Sequence, residues 1–310
     1  MGKCISLTAL QNQRYRHSFG KAGLKSVTTD LGDGTVMHFW IPKSHKPNKP
    51  TLLLIHGINA MWQWNPFISR FSSKFNVYVP GLLFFGDSYT TLPDRTEAFQ
   101  ARSIMRAMEA YGVARSMLVV GLSYGGFVGY SMAAQFPEAV ERLVIGAAGV
   151  CMEEKDMEDG LFKVKSIDDA ATILLPQTPD KMRELVQLTF YKPPKILPSC
   201  VLTDFIRVMC TEYLEERKAL IRALHQDRKL SDLPSITQLF FFYHPPTLTL
   251  KPHFIFFIIN HTFCKAHDTA LHMPFLITLF FLYFLFFNSI HSLSLSHPFF
   301  YPLNPLSSFL

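Results

Sequence analysis

Glycine and most charged residue types are missing from the C-terminal part of the chain. Residues 239–310 contain no Gly, Val, Glu, Gln, Arg or Trp, and their charged side chains are Lys251, Lys265 and Asp268. The segment therefore has no helix-cap or turn glycine, and with so little charge its helices would have no polar face. These absences argue against a continued alternation of strands and amphipathic helices in this segment.

Cysteine is scarce, and an apolar leader is absent. The five cysteines form no CxxC pair; they are Cys4, Cys151, Cys200, Cys210 and Cys264. This set predicts neither a disulfide framework nor a thiolate zinc site. The first residues lack the apolar stretch of a secretory signal. We therefore expect a reducing, cytoplasmic location, with no cofactor, no metal and no nucleic-acid partner.

Acidic residues are rare in the first fifty positions, which contain only Asp30 and Asp33. Against them stand eight cations, Lys3, Arg14, Arg16, Lys21, Lys25, Lys43, Lys46 and Lys49, so the formal net charge of +6 arises in this segment. Such a segment is either a solvated basic face or attracted to an anionic membrane. The first six residues, MGKCIS, also fit the pattern for acylation at Gly2, with Cys4 as a second lipid site.

The middle of the chain alternates short apolar runs with amphipathic stretches. Residues 24–29 and 36–41, joined by Gly32-Asp33-Gly34, predict a β-hairpin. The later runs predict strands at 52–55, 77–80, 117–120 and 143–145, with helices at 64–71, 94–111 and 126–136 between them. This alternation is typical of a mostly parallel sheet covered by helices on both faces, here with an antiparallel start.

After Val150 the sequence becomes polar and helix-rich, which predicts a helical cap inserted into the α/β domain. We therefore divide the chain into four segments: a basic N-terminal segment 1–23, the first half of the core 24–152, the cap and return to the core 153–238, and a Phe-rich tail 239–310.

The strongest chemical signal is Gly121-Leu122-Ser123-Tyr124-Gly125-Gly126, a G-x-S-x-G motif between a predicted strand and a predicted helix. Small residues on both sides of a serine are needed where the strand turns sharply into the helix, because larger side chains would clash. The motif predicts that Ser123 is a nucleophile. A tight turn with an incidental serine is the alternative.

A second motif is His56-Gly57, which follows the apolar run Leu52–Ile55. Hydrolysis of an acyl group requires N–H donors for the developing oxyanion, and this loop and the residue after the nucleophile are suited to supply them. The donors would be Ile58 and Tyr124. His56 itself is more simply explained by packing and local hydrogen bonding than by a role as general base.

With these motifs the sequence resembles the α/β-hydrolases of the capped esterase, monoacylglycerol-lipase and carbon–carbon-bond-hydrolase type found in plants and bacteria. The resemblance covers residues 24–238 and rests on His56-Gly57, on residues 82–88 (LLFFGDS) and on residues 121–126. Gly81 stands where the family usually has an acidic residue. Relatives with an Asp nucleophile, such as epoxide hydrolases, are disfavoured by Ser123.

The resemblance implies that an acid and then a histidine follow Ser123, after the seventh and eighth strands. The next strand is due after Gln238, but the sequence there lacks the family's pattern, and no histidine of the tail follows a glycine. The sequence therefore predicts that the C-terminal strands are missing. Three interpretations of the tail remain: a membrane segment at 273–290, a metal cluster of His261, Cys264, His267 and His272, and translated noncoding sequence, which we favour.

The sequence thus predicts a serine hydrolase acting on small acyl or lipid esters through Ser123. The competing hypotheses are a catalytically dead or truncated α/β-hydrolase that lacks its Asp and His, and a ligand-binding module that uses the pocket without chemistry.

Overall fold

A single mixed β-sheet runs through the part of the chain that the computed structural model describes, which comprises residues 6–58, 61–151, 164–189, 193–224, 229–243 and 255–256. Its strands are β1 Leu24–Asp30, β2 Thr35–Pro42, β3 Thr51–Ile55, β4 Asn76–Pro80, β5 Tyr89–Thr90, β6 Met117–Leu122, β7 Val140–Gly146, β8 Leu239–Tyr243 and β9 Ile255–Phe256. The helices are α1 Leu7–Lys21, α2 Asn65–Lys74, α3 Glu97–Ala110, α4 Tyr124–Gln135, α5 Ile167–Leu174, α6 Pro179–Thr189, α7 Ser199–Met209 and α8 Leu214–Ala223.

The strand order is β1-β2-β4-β3-β6-β7-β8-β9, and β5 pairs with β2 outside this path. Strands β4, β3, β6, β7 and β8 are mutually parallel, whereas β1, β2 and β4 pair antiparallel. The turn between β1 and β2 places Gly32 at φ 82° and Gly34 at φ 80°, where glycine avoids the steric cost of a side chain. The predicted mostly parallel sheet with an antiparallel start is confirmed.

Both faces of the central strands are buried. In β3, Leu52 and Leu54 belong to one apolar cluster, while Leu53 and Ile55 belong to the other. Side chains alternate between the two faces of a strand, so a strand that is apolar throughout requires cover on both sides. This is why the short apolar runs of the sequence became central parallel strands.

Between β7 and β8, the described residues form the four helices α5 to α8. Helix α5 packs on α6 and α8, and α6 packs on α7. These helices fall within the segment 153–238 for which we expected a helical cap. The boundaries of the four segments remain a prediction.

One strand does follow Gln238, although the sequence there lacks the family's pattern; that the further C-terminal strands are missing stays a prediction. Residues 239–243 form β8, which pairs parallel with β7 from Arg142 opposite Leu239 to Gly146 opposite Tyr243. The edge of β7 presents unpaired backbone groups, and aromatic residues favour extended backbone, so a strand forms there without the family's usual sequence. Residues 244–254 and 257–310 lie outside the described residues, and with them the proposed metal cluster and the 273–290 segment.

Membrane-spanning helices were sought in the part of the chain that the structure describes. None of the helices found there combines the length and the apolar character needed to cross a bilayer.

Helix α1 forms most of the basic N-terminal segment, and the carboxylate of Asp204 joins it to α7. Asp204 Oδ2 accepts hydrogen bonds from Ser6 Oγ and from the Thr8 backbone N–H, both at 2.9 Å, and Asp204 Oδ1 accepts one from Arg207 at 2.8 Å. Burial acts to raise the pKa of Asp204, but the bonds from Thr8, Arg207 and Ser6 outweigh it and lower the pKa to about 2. The carboxylate also complements the positive end of the α1 dipole.

We expect Asp204→Asn to lower the free energy of unfolding at pH 7 by at most about 2 kcal/mol, since the shift in pKa equals the stabilisation of the ionised form. Because the folded pKa lies below the ordinary value of 3.8, this stabilisation is complete above pH 3.8 and is lost as the pH falls through about 2. Denaturant unfolding at several pH values measures it. Asp180→Asn is the control, because Asp180 is 93% exposed, and we expect a change below about 0.5 kcal/mol. An equal loss in both variants would contradict the assignment.

Candidate active site

Ser123 lies in the turn between β6 and α4, with φ 53° and ψ −122°. A positive φ is costly for a residue with a side chain and occurs where the surrounding structure enforces it. The Ser123 N–H donates to Gly146 O at 2.8 Å, and Ser123 O accepts from the Gly126 N–H at 2.8 Å. The serine is half-buried and stands at the N-terminus of α4, where the helix dipole favours negative charge.

Steric contacts require glycine at the positions around Ser123. A Cβ on Gly125 would meet the backbone oxygens of Ile55 and His56, the latter at 2.5 Å. A Cβ on Gly121 would collide with Gly125 O and lie 2.8 Å from Gly126 Cα. Such atoms belong to the backbone and cannot move aside. The structure thus gives a physical reason for the glycine spacing of the motif.

The His56-Gly57 loop lies directly beside the serine. A Cβ on Gly57 would lie 3.1 Å from Ser123 Cβ and 3.1 Å from Leu122 O, so only glycine fits there without a shift of the turn. The Gly57 N–H donates to Gln63 Oε1 at 2.8 Å, and Gly57 O accepts from His56 Nδ1 at 2.6 Å. The two peptide groups that flank Gly57 are therefore each held by one hydrogen bond.

The hydrogen bond from His56 Nδ1 to Gly57 O sets the orientation of the Ile58 N–H in the next peptide group. In a trans peptide the C=O and N–H groups point in opposite directions, so the Ile58 N–H points away from the His56 ring. Neither this N–H nor that of Tyr124, the first residue of α4, has a hydrogen-bond acceptor among the described residues. First-turn amides of a helix have no partner within the helix. Both N–H groups are thus available near Ser123.

Both ring nitrogens of His56 are occupied. Nδ1 donates to Gly57 O, and Nε2 accepts the backbone N–H of Leu82 at 3.0 Å, which requires the neutral ring. The side chain is fully buried. Burial lowers the pKa of His56 to about 4; the bond to Gly57 opposes this and the Arg217 charge adds to it. A neutral ring with no free nitrogen supports the loop and leaves no nitrogen for proton transfer.

The loop after β4, residues 81–88, is closed although Gly81 replaces the usual acidic residue. Ser88 Oγ donates to Gly81 O at 2.8 Å and accepts the His38 N–H at 2.9 Å. A Cβ on Gly81 would lie 2.8 Å from Met61 Cε and 3.1 Å from Ser88 Oγ. The turn is thus bonded through Ser88, and a side chain at Gly81 would require the flexible end of Met61 to shift.

Sequence reasoning missed Arg217 of α8, which connects the inserted helices to this loop. Its side chain is buried; Nε donates to Phe84 O at 2.7 Å and a terminal nitrogen donates to Met209 O at 2.6 Å. The guanidinium lies 4.5 Å from the ring centre of Phe85, which in turn contacts His56 edge-on at 5.3 Å. Spacing along the sequence gives no signal for such a contact, because Arg217 and Phe84 are 133 positions apart.

Ser123 has no imidazole partner in the described part of the chain. The described histidines, His17, His38, His45 and His56, all precede it, and none is hydrogen-bonded to its Oγ. Every histidine that follows Ser123 lies outside the described residues, as does Asp268. No group of three His, Cys, Asp or Glu side chains suited to a metal ion is found among the residues that the structure covers.

A strand-turn-helix serine at the carboxyl edge of a parallel sheet, beside a His-Gly loop, is the arrangement of the α/β-hydrolase class. A profile described as alpha/beta hydrolase fold matches residues 50–204, half of the chain. The chain belongs to this family.

Among curated proteins, the chain is 27% identical to Lipase 1 of Psychrobacter immobilis over 202 residues, which are 62% of this chain and 58% of that protein. It is 25% identical to monoacylglycerol lipase ABHD6 of Mus musculus over 193 residues, 59% and 56% of the two chains. Matches to uncharacterized mycobacterial proteins span 29% of their length. The chain thus covers less than two thirds of these relatives.

The fold is similar to that in the crystal structure of a bacterial membrane phospholipase A, with a TM-score of 0.59 and 21% identity over 76% of this chain and 74% of that one. At this level of identity the similarity concerns the fold.

Proposed function

We propose that the chain is a serine hydrolase that cleaves carboxylic esters with Ser123 as nucleophile. The observation that carries the proposal is the position of Ser123 at φ 53° in a turn whose glycines leave no room for side chains. A strained turn holds the hydroxyl out at the edge of the sheet, where a carbonyl carbon has access to it.

In the proposed reaction, Ser123 Oγ attacks the ester carbonyl carbon and the serine proton passes to a general base. The tetrahedral intermediate then breaks its bond to the alcohol, which leaves with that proton, and water hydrolyses the resulting acyl-enzyme to release the acid and restore Ser123. The Ile58 and Tyr124 N–H groups hold the oxyanion. Their geometry is set before the reaction by the His56 and Gln63 bonds and by the start of α4, so little reorganisation is needed as charge develops.

The substrate class that we propose is an ester of a lipid or another small acyl group. Support comes from the names of two relatives, a lipase and a monoacylglycerol lipase. Fold similarity alone does not fix a substrate, and the inserted helices α5 to α8 are the segment in which this family varies its pocket.

A fluorophosphonate probe tests the proposal, because it reacts covalently with activated serines. We expect the purified chain to be labelled and Ser123→Ala to lose all labelling, since no other described serine stands in such a turn beside Gly57. The matched control is Ser116→Ala, because Ser116 also has a positive φ, 56°, and lies exposed before β6. Labelling that persists in Ser123→Ala would refute Ser123 as the nucleophile.

A second candidate is a catalytically dead α/β-hydrolase that binds a ligand. It is favoured by the sequence after Gln238, where no histidine follows a glycine and the family's pattern for the acid is lacking. Without a base, the oxyanion donors and binding alone would leave a rate of about 10³ times that in water.

Turnover of p-nitrophenyl butyrate separates the two candidates. Rapid turnover that disappears in Ser123→Ala would exclude the dead hydrolase. Absent turnover, together with saturable binding of a non-hydrolysable monoalkylglycerol ether that survives Ser123→Ala, would establish the binding protein and exclude the enzyme.

A further inference from the structure

One face of α1 is exposed and combines leucines with cations. Leu7, Leu10, Arg14, His17 and Lys21 recur at alternating steps of three and four residues, so they share one side of the helix. All five are exposed, and Leu7 and Leu10 keep 52% and 39% of their surface. We call these five residues the basic face of α1.

The opposite side of α1 is firmly packed, so the helix is a fixed part of the fold. Thr8, Tyr15 and Phe19 are buried, and Phe19 contacts Trp40 edge-on with 5.3 Å between ring centres. Helix α1 packs on α2 and α7. The basic face is therefore presented outward on a rigid support.

A groove of about 560 Å³ opens beside the basic face, where α1 approaches α2. Its lining includes Gln13, Arg14, His17, Ser18, Lys21 and Ser69, and no carboxylate is among the residues that line it. Such a groove supplies cations and hydroxyl donors, which are the groups that bind a phosphate. Its volume lies in the range of small-molecule sites.

We propose that the basic face of α1 docks on an anionic phospholipid bilayer, with Leu7 and Leu10 entering the interface and a lipid phosphate seated in the adjacent groove. The exposed leucines supply apolar surface that can enter an interface, and the neighbouring cations are attracted to anionic headgroups. Helix α1 contains no Asp or Glu, so its own residues do not repel an anionic surface.

The leucines occupy the N-terminal end of the face. The acylation pattern at Gly2 and Cys4 precedes them in sequence, so acyl chains at those positions would enter the membrane from the same end of the helix. The proposal does not require acylation, and it is independent of the chemistry proposed for Ser123.

Sedimentation of the full-length, unacylated chain with vesicles tests the proposal. One set of vesicles is phosphatidylcholine alone and the other contains about 30% phosphatidylserine, a composition chosen to give a negative surface. We expect the bound fraction to rise on the anionic vesicles. We expect Arg14→Gln combined with Lys21→Gln to lower the partition coefficient by about thirtyfold, and Leu7→Ser combined with Leu10→Ser to lower it severalfold. A vesicle-free sample corrects for self-association.

Matched controls separate this surface from general charge or hydrophobicity. Arg115→Gln combined with Lys229→Gln removes the same charge from exposed sites elsewhere, and Ile196→Ser removes a side chain that is 76% exposed. Both should bind like the parent, as should Ser123→Ala. Equal binding to the two kinds of vesicle, or an equal loss in control and α1 variants, would overturn the proposal. Binding of inorganic phosphate without binding to vesicles would also overturn it and leave a soluble-anion site.

Discussion

Gly125→Ala should lower the free energy of unfolding by about 3 kcal/mol or more, at the upper end of the cost of overpacking. The added Cβ would meet Ile55 O and His56 O, the latter at 2.5 Å. Both oxygens belong to backbone in the centre of the fold, so relief requires α4 to move away from β3. The same movement would displace Ser123, and we expect labelling by a fluorophosphonate to be lost even in molecules that remain folded.

Tryptophan fluorescence during denaturant unfolding measures this effect, because Trp40, Trp62 and Trp64 are all buried. The control is Gly20→Ala. No atom outside its own chain neighbourhood lies within 4 Å of a Cβ at Gly20, which is part of α1. Alanine is favoured over glycine in helices, so this variant should equal or exceed the parent in stability by up to about 1 kcal/mol. A loss below about 1 kcal/mol in Gly125→Ala would contradict the steric explanation of the motif.

His56 should make the protein sensitive to mild acid. Its pKa is lowered from 6.5 to about 4, chiefly by burial. Between these values the unfolded chain binds a proton that the folded chain does not, so stability is complete above pH 6.5 and falls as the pH is lowered to about 4. The expected loss from His56 is about 3 kcal/mol. Protonation would also place a hydrogen on Nε2, opposite the N–H of Leu82.

His56→Gln isolates this effect. The variant should be less stable than the parent at pH 7, because Gly57 O loses its donor and the contact with Phe85 is lost. The difference should shrink as the pH falls from 6.5 to 4. Burial also lowers the pKa of His38, which adds acid sensitivity to parent and variant alike. His17→Gln, on the exposed side of α1, should follow the parent. Parallel pH profiles for His56→Gln and the parent would refute the assignment.

Much of the core could be predicted from local sequence. Apolar runs marked the central strands, and Gly32 and Gly34 marked the hairpin turn. Helix α1 was missed, because its buried side consists of only Thr8, Tyr15 and Phe19 and its sequence lacks a clear apolar stripe. Strand β8 was judged absent because its sequence departs from the family pattern, although backbone pairing with β7 does not depend on that pattern.

The candidate site could be predicted only in part, because its central motif is local in sequence and its supporting contacts are not. The spacing of Gly121, Ser123 and Gly125 is a local signal, since the steric conflict arises within one turn. The supporting contacts lie further apart in the sequence. His56 Nε2 accepts a hydrogen bond from the N–H of Leu82, 26 positions away, and Gln63 Oε1 accepts one from the Gly57 N–H. No periodicity or motif encodes such pairs.

The sequence by itself determined the central strands, most of the helices between them and which serine stands in the sharp turn, because those features depend on neighbours within a few residues. Only the tertiary structure decided that His56 is a neutral support, that Arg217 joins the inserted helices to the loop after β4, and that α1 presents leucines and cations together. Burial and hydrogen-bond partners are properties of the packed chain, and they are fixed when distant segments meet.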